Sequence, residues 1–144
     1  RYTLNFSDSK MIALWASADC VVTREQVSNW LKKEEDPDYL NCTDKMLATF
    51  LNGLINELRG KKDGPAAALS EQLTNNIILR KLTIAFDLKA DNTLNLLARS
   101  DVHLVKSELS ALFRKQNHFR INKYNFQHFN QYQTLITIIS IISI

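Results

Sequence analysis

The side chains best suited to chemistry in this chain follow two similar turns. After the first turn come Arg24, Gln26, Ser28, Asn29, Lys32 and Lys33. The second turn, 82 residues further on, is followed by Lys106, Ser107, Ser110, Arg114 and Lys115. Gln and Asn can bond adenine bidentately, and Arg or Lys can bond guanine or phosphate. Placed on the second helix of a helix-turn-helix, such residues would face the major groove. The competing reading is a packed helix pair with an ordinary charged outer face. Two details favour that reading for the first copy. The turn Asp19-Cys20-Val21-Val22 is about two residues longer than the tight form and has no Gly. Glu25 and the carboxylates of 34–38 would also oppose a phosphate backbone.

These residues are positioned by a duplication. Leu14–Lys33 aligns without a gap on Leu96–Lys115, with Leu14/Leu96, Ala16/Ala98, Asp19/Asp101, Ser28/Ser110 and Lys33/Lys115 identical. Val22/Leu104, Arg24/Lys106, Val27/Leu109, Leu31/Phe113 and Lys32/Arg114 keep their chemistry. A repeat of this kind indicates two copies of one helical unit. Only three Gly and two Pro in 144 residues leave few turn formers, which disfavours an all-β fold. The expected fold is therefore all-α, with two similar helical half-domains that each contain a helix-turn-helix-like pair.

Residues 1–6 read as the end of a helix whose beginning is missing. Ser7 or Asp8 caps a helix through about 18, with Met11, Ile12 and Trp15 inward. Thr23-x-x-Gln26 has the form of a capping box, and predicts a helix over 24–33 that buries Val27, Trp30 and Leu31. Pro37 and the carboxylates around it end that helix. Thr43 or Asp44 opens the next, whose apolar stripe runs Met46, Leu47, Phe50, Leu51, Leu54, Ile55 and Leu58 to a stop at Gly60. Helices near 75–87, 91–100 and 106–115 repeat the plan. Val105 stands where Thr23 caps in the first copy, so Ser107 or a shifted start would have to substitute. The expected organisation is a first repeat over 1–60, a linker over 61–73 and a second repeat over 74–144. The segment 124–144 departs from the pattern of 43–58 and ends in β-branched residues, which predicts an altered form of the original last helix.

Thr23–Tyr39 (TREQVSNWLKKEEDPDY), Asn75–Lys89 (NNIILRKLTIAFDLK) and Lys106–Lys115 (KSELSALFRK) carry a resemblance to an uncharacterised bacterial family, the YehS-like proteins. It spans about residues 1–118 and includes the tandem layout. The resemblance implies a two-repeat helical protein of the bacterial cytosol. It brings no activity, substrate or catalytic residue.

A catalytic reading finds little support. His103, His118 and His128 share no helical face, and neither Cys20 nor Cys42 sits in a CxxC. The acidic run at 34–38 lacks the alternating oxygens of a calcium loop. There is no Gly-rich phosphate loop and no nucleophile elbow. No cofactor, metal, small-molecule ligand or membrane association is expected, and two thiols in a chain of this length suit a reducing cytoplasm.

Charge is uneven along the chain. Residues 1–44 hold five Lys/Arg against eight Asp/Glu, whereas 99–123 hold six against two. The second copy is therefore the stronger candidate for DNA. The reading with most weight is a non-catalytic binding module that meets a protein partner or a second copy of itself, with nucleic-acid binding as the alternative. The position of the exposed cations separates them: Lys106, Arg114, Lys115, Arg120 and Lys123 on one continuous face would favour nucleic acid, and exposed apolar side chains beside them would favour protein.

Overall fold

The computed structural model describes residues 1, 4–64, 73–99 and 102–114. Among these there are six helices and no strand: α1 Asp8–Ser17, α2 Arg24–Trp30, α3 Asp44–Arg59, α4 Asn75–Ala85, α5 Ala90–Ala98 and α6 Lys106–Leu112. The chain divides into two compact units, Arg1–Leu73 and the part from Thr74 onward. The all-α expectation and the two repeated segments both hold. α2 and α6 correspond residue for residue at the 82-residue offset, and α5 corresponds to α1. The 65–72 part of the expected linker, Lys115 and the 124–144 tail lie outside the described residues.

The starts of α1, α2 and α3 follow the predicted hydroxyl caps, and Thr74 supplies a fourth at α4. Ser7 Oγ accepts from the Lys10 N–H, Thr23 Oγ1 from Gln26 N–H, Thr43 Oγ1 from Met46 N–H and Thr74 Oγ1 from Ile77 N–H. Each satisfies one of the amides that a first turn leaves without a partner.

The helix ends solve the opposite problem with very little glycine. Asp19 (φ 58°) and Asp87 (φ 54°) adopt the left-handed conformation just beyond α1 and α4. There the Cys20 N–H returns to Trp15 O and the Asp19 N–H to Ala16 O, a pattern repeated by Leu88 to Thr83 and Asp87 to Ile84. These are paired six-to-one and five-to-two closures, and Asp tolerates the left-handed site better than most residues because its short polar side chain can bond locally. Asn5 (φ 51°) lies 82 residues before Asp87, and Phe6 N–H bonds to Arg1 O as Leu88 does to Thr83. Arg1, Asn5 and Phe6 thus repeat the closure made at the end of α4.

In the first unit, α1 packs on both α2 and α3. Met11, Trp15, Val22 and Val27 form a buried cluster, with Phe6, Ile12, Cys20, Trp30, Met46 and Phe50 packed around it. The Trp15 ring lies 5.3 Å from that of Trp30 and 4.9 Å from that of Phe50, both tilted. Tilted contacts of this kind suit the ring quadrupoles. Trp15 Nε1–H donates to Met46 O at 2.9 Å, so its polar edge is satisfied inside the core.

The closest α1–α3 approach falls at Gly53. A Cβ there would stand 1.8 Å from Leu14 O and 3.2 Å from Ser17 Oγ. Around it, Ser17 Oγ lies 2.9 Å from Leu14 O and 3.2 Å from Gly53 O, while Asn56 Nδ2 donates to Ser17 O at 2.9 Å. Lys10 and Glu57 form an ion pair one turn away. Leu14 and Leu54 are buried on this interface, whereas Leu58, at the open last turn of α3, is 45% exposed. The predicted apolar stripe is therefore buried through its middle and released at its end.

In the second unit α5 packs on α6. Leu97, Leu109 and Leu112 are buried where Trp15, Val27 and Trp30 stand in the first. Val102 N–H bonds to Leu97 O as Cys20 does to Trp15. Arg80 of α4 donates to Phe113 O at 3.1 Å, placing a cation on the carbonyl end of α6.

Gly53→Ala is expected to destabilise the first unit. Overpacking against backbone costs about 1–3 kcal/mol, which outweighs the roughly 1 kcal/mol that Ala gains over Gly in a helix. Urea and thermal unfolding should both show a lower midpoint than the wild type; an unchanged midpoint would mean that the α1–α3 contact is looser than described.

Candidate nucleic-acid interface

The helix presenting the candidate residues is shorter than its periodicity suggests. α2 stops at Trp30, with Leu31 as its C-cap, so Lys32 and Lys33 lie in the following loop. The loop itself imposes the stop: Asp36 N–H bonds to Lys33 O, Tyr39 N–H to Asp36 O and Asp38 N–H to Asp36 Oδ1. Leu40 N–H then returns to Asn29 O. These bonds form a local turn network that competes with the helix. Leu31, expected in the core, is 41% exposed. α6 ends likewise at Leu112 with Phe113 as its cap, which leaves Arg114 beyond the helix.

Several first-copy candidates have other partners. Gln26 Oε1 accepts the Thr23 N–H at 2.9 Å, completing the capping box. Its carbonyl oxygen is therefore occupied in holding the helix start. Lys32 Nζ donates to Asp38 Oδ2 at 2.8 Å and lies 3.5 Å from Asp36 Oδ1. The hydrogen bond to Asp38, opposed in part by desolvation, holds the ammonium above the ordinary lysine range. Lys32 thus stays charged at neutral pH with its charge answered by the acidic loop. Arg24 Nε is 4.0 Å from Asp8 Oδ2. Ser28 and Lys33 are exposed, and Asn29 is half-buried with its backbone carbonyl engaged by Leu40.

The second copy is more open. Lys106, Ser107, Ser110 and Arg114 are exposed. Lys106 and Ser110, one turn apart, share a face of α6. Lys106 Nζ pairs with Asp91 Oδ1 at 2.8 Å, with both side chains 69% exposed, a geometry that contributes little in water. The arrangement parallels Arg24 and Asp8: α2 and α6 each set their first cation near an acid in the first turn of the preceding helix. Lys115 lies outside the described residues, as do Arg120 and Lys123.

Ser107 takes no part in the α6 start, and the helix is not shifted. Val105 occupies the N-cap position with extended backbone, and Glu108 Oε2 accepts its N–H at 3.0 Å. Half of the capping box survives through Glu108, while valine offers no oxygen for the other half.

Exposed apolar side chains flank the first-copy helix at both ends. Val21 is 93% exposed in the turn before α2, and Leu31 and Leu40 are partly exposed after it. In the second unit, Val105 is exposed beside Lys106. Among the described residues no group of three His, Cys, Asp or Glu could hold a metal. Cys20 and Cys42 are free thiols. Burial first, and then the Asp44 carboxylate, push the Cys42 thiol above its ordinary range and keep it protonated at neutral pH. None of the described helices is long and apolar enough to cross a membrane.

Residues 1–60 and 75–132 match a family model described as a protein of unknown function, DUF1456. The chain is also 37% identical over 119 residues to the uncharacterised protein YehS of Escherichia coli (strain K12), covering 82% of this chain and 76% of that protein. No solved structure matches the chain.

The two helix starts yield a paired prediction. Val105→Thr supplies the missing hydroxyl and should stabilise the second unit by about 0.5–1 kcal/mol, whereas Thr23→Val should cost the first about 1 kcal/mol. Denaturant midpoints moving in opposite directions would support this; two shifts of the same sign would contradict it.

Proposed function

Because the chain belongs to the DUF1456 family, whose description assigns no activity, we propose on the strength of its two units that it is a non-catalytic helical binding module whose partners are proteins. One observation carries this reading: around α2, the Gln26 carbonyl and the Lys32 ammonium are engaged within the protein and Arg24 lies near Asp8, while apolar side chains are exposed at both of its ends. Val21, 93% exposed, would gain about 1.5–3 kcal/mol from full burial on association, and Leu31, 41% exposed, correspondingly less. A second copy of the chain is the partner most directly tested. The free thiols fit a reducing compartment, and the reading places the protein in the bacterial cytoplasm.

The alternative is duplex binding through α6, favoured by the exposure of Lys106, Ser110 and Arg114. Its affinity would come mostly from phosphate contacts and would fall steeply with salt.

Two measurements on the full chain separate these readings. Sedimentation velocity over a range of concentrations should show self-association that weakens in the Val21→Asp/Leu31→Asp double variant. Anisotropy with a labelled mixed-sequence duplex should show no micromolar binding at either low or moderate salt. Salt-sensitive micromolar binding lost in Lys106→Gln/Arg114→Gln would reverse the preference.

A further inference from the structure

Asn52 and Gly53 form the one Asn-Gly step in the sequence. They lie in the middle of α3, with Asn52 half-buried and Gly53 buried against α1. Asparagine is chemically labile, most of all before glycine, because the glycine amide nitrogen has no Cβ beside it to hinder its attack on the asparagine side chain. In that attack the nitrogen of Gly53 bonds to Cγ of Asn52 as the Cγ–Nδ2 bond breaks. The amide proton leaves with the departing ammonia, and a five-membered imide remains. Water then opens the ring with no change of oxidation state. Cleavage at Cγ leaves an aspartate at position 52. Cleavage at the main-chain carbonyl leaves an isoaspartate, whose backbone runs through the former side chain and is one methylene longer.

The folded helix withholds each requirement of this reaction. Helical backbone turns the Gly53 nitrogen away from Asn52 Cγ, and its N–H is directed to the carbonyl four residues back. Water has no room at Gly53, since the space a Cβ would take is filled by the Leu14 carbonyl, 1.8 Å from that position. We propose that Asn52 is a modification site gated by the seating of α3 on α1. It is converted to aspartate and isoaspartate when α3 leaves α1 and opens, and the isoaspartate then bars α3 from reseating. The contacts of α3 explain the second step. Met46 and Phe50, which meet Trp15, precede the inserted methylene, whereas Gly53, Asn56 and Glu57, which meet Leu14, Ser17 and Lys10, follow it. A longer backbone between the two sets cannot satisfy both in one register. The missing Cβ links the two properties: it admits the Leu14 carbonyl and it leaves the nitrogen unshielded. Alanine at 53 would hinder ring closure, but the same 1.8 Å approach excludes it. The chemistry is the same whether the chain's partner is a protein or a duplex.

The test follows conversion at Asn52 in full-length wild type, Leu14→Ala and Asn56→Ala chains in mildly alkaline buffer. A peptide of residues 43–60 is the unprotected reference, because most helical stability comes from packing that the peptide lacks. Tandem mass spectrometry locates the conversion, and an isoaspartyl methyltransferase with labelled S-adenosylmethionine counts the isoaspartate. The wild type should convert at least ~tenfold more slowly than the peptide, since the rate scales with the fraction of time α3 is open. Leu14→Ala, which leaves a cavity under α3, should convert at least ~tenfold faster than the wild type. Asn56→Ala keeps a good helix former and loses only the bond to Ser17, so a faster rate there assigns the protection to the seat and not to helicity alone. Circular dichroism shows which variants are folded, and Asn56→Ala carries the comparison if Leu14→Ala is not. Wild type enriched in isoaspartate should unfold at a lower midpoint, while Asn52→Gln aged in the same way keeps its own. Wild type converting at the peptide rate overturns the proposal. So do equal rates in the wild type and the folded variants, or isoaspartate at position 52 that leaves the midpoint unchanged.

Discussion

The contact on which the first unit depends is made by an absent atom. α3 reaches α1 where Gly53 has no Cβ, and the space that side chain would need is occupied by the Leu14 carbonyl. The burial of Leu14 and Leu54, the Asn56 bond to Ser17 and the Lys10–Glu57 pair all require that approach. A mid-helix glycine normally costs about 1 kcal/mol against alanine. Here that cost is offset by close packing between two helices whose combined apolar faces also hold Trp15 and Phe50 in contact. The aromatic cluster ties α2 to α1, because Trp30 packs against Trp15. One backbone-to-backbone approach thus organises three helices.

Around this contact the chain handles its helix ends by the same means in both units. Hydroxyls open α1 to α4, and carboxyl or amide residues in the left-handed region close α1, α4 and the segment before Ser7. This explains how a protein with three glycines has so many sharp reversals. α5 and α6 depart from the rule: α5 opens at Lys89 with no side-chain cap, and α6 keeps the Glu108 arm of its capping box but lacks the hydroxyl.

Most of the fold was legible in the sequence because its signals are local. Hydroxyl caps, the Thr23–Gln26 box and the gapless repeat depend on neighbours a few positions apart, and each appears in the structure. The misses depend on distance. Leu31 and Leu58 belong to apolar stripes yet are partly exposed, because a stripe records which face of a helix is apolar and not how far its partner extends. The stop at Trp30 came three residues early because the 33–40 loop forms its own hydrogen bonds, a competition that helix periodicity does not register. Gly53 went unremarked, although an isolated glycine inside a strong helical pattern is itself a sign of close approach. Of the candidate site, residue types and exposure were readable. Gln26 was committed by its own predicted capping box, but the engagement of Lys32 was not readable, since its pairing with Asp36 and Asp38 depends on the shape of the loop.

The seating of α3 on α1 has a kinetic side. The α1–α2 and α5–α6 pairs join residues close in sequence, so their turns can form on the timescale of local loop closure. Seating α3 on α1 instead joins residues 31 to 47 apart, from Trp15 with Met46 to Lys10 with Glu57. Closing that longer loop carries an entropic cost that no contact repays until Gly53 has arrived. The first unit should therefore assemble in order, helix pair first and α3 last. The Gly53 seat then behaves as a late latch, whose loss speeds opening far more than it slows folding.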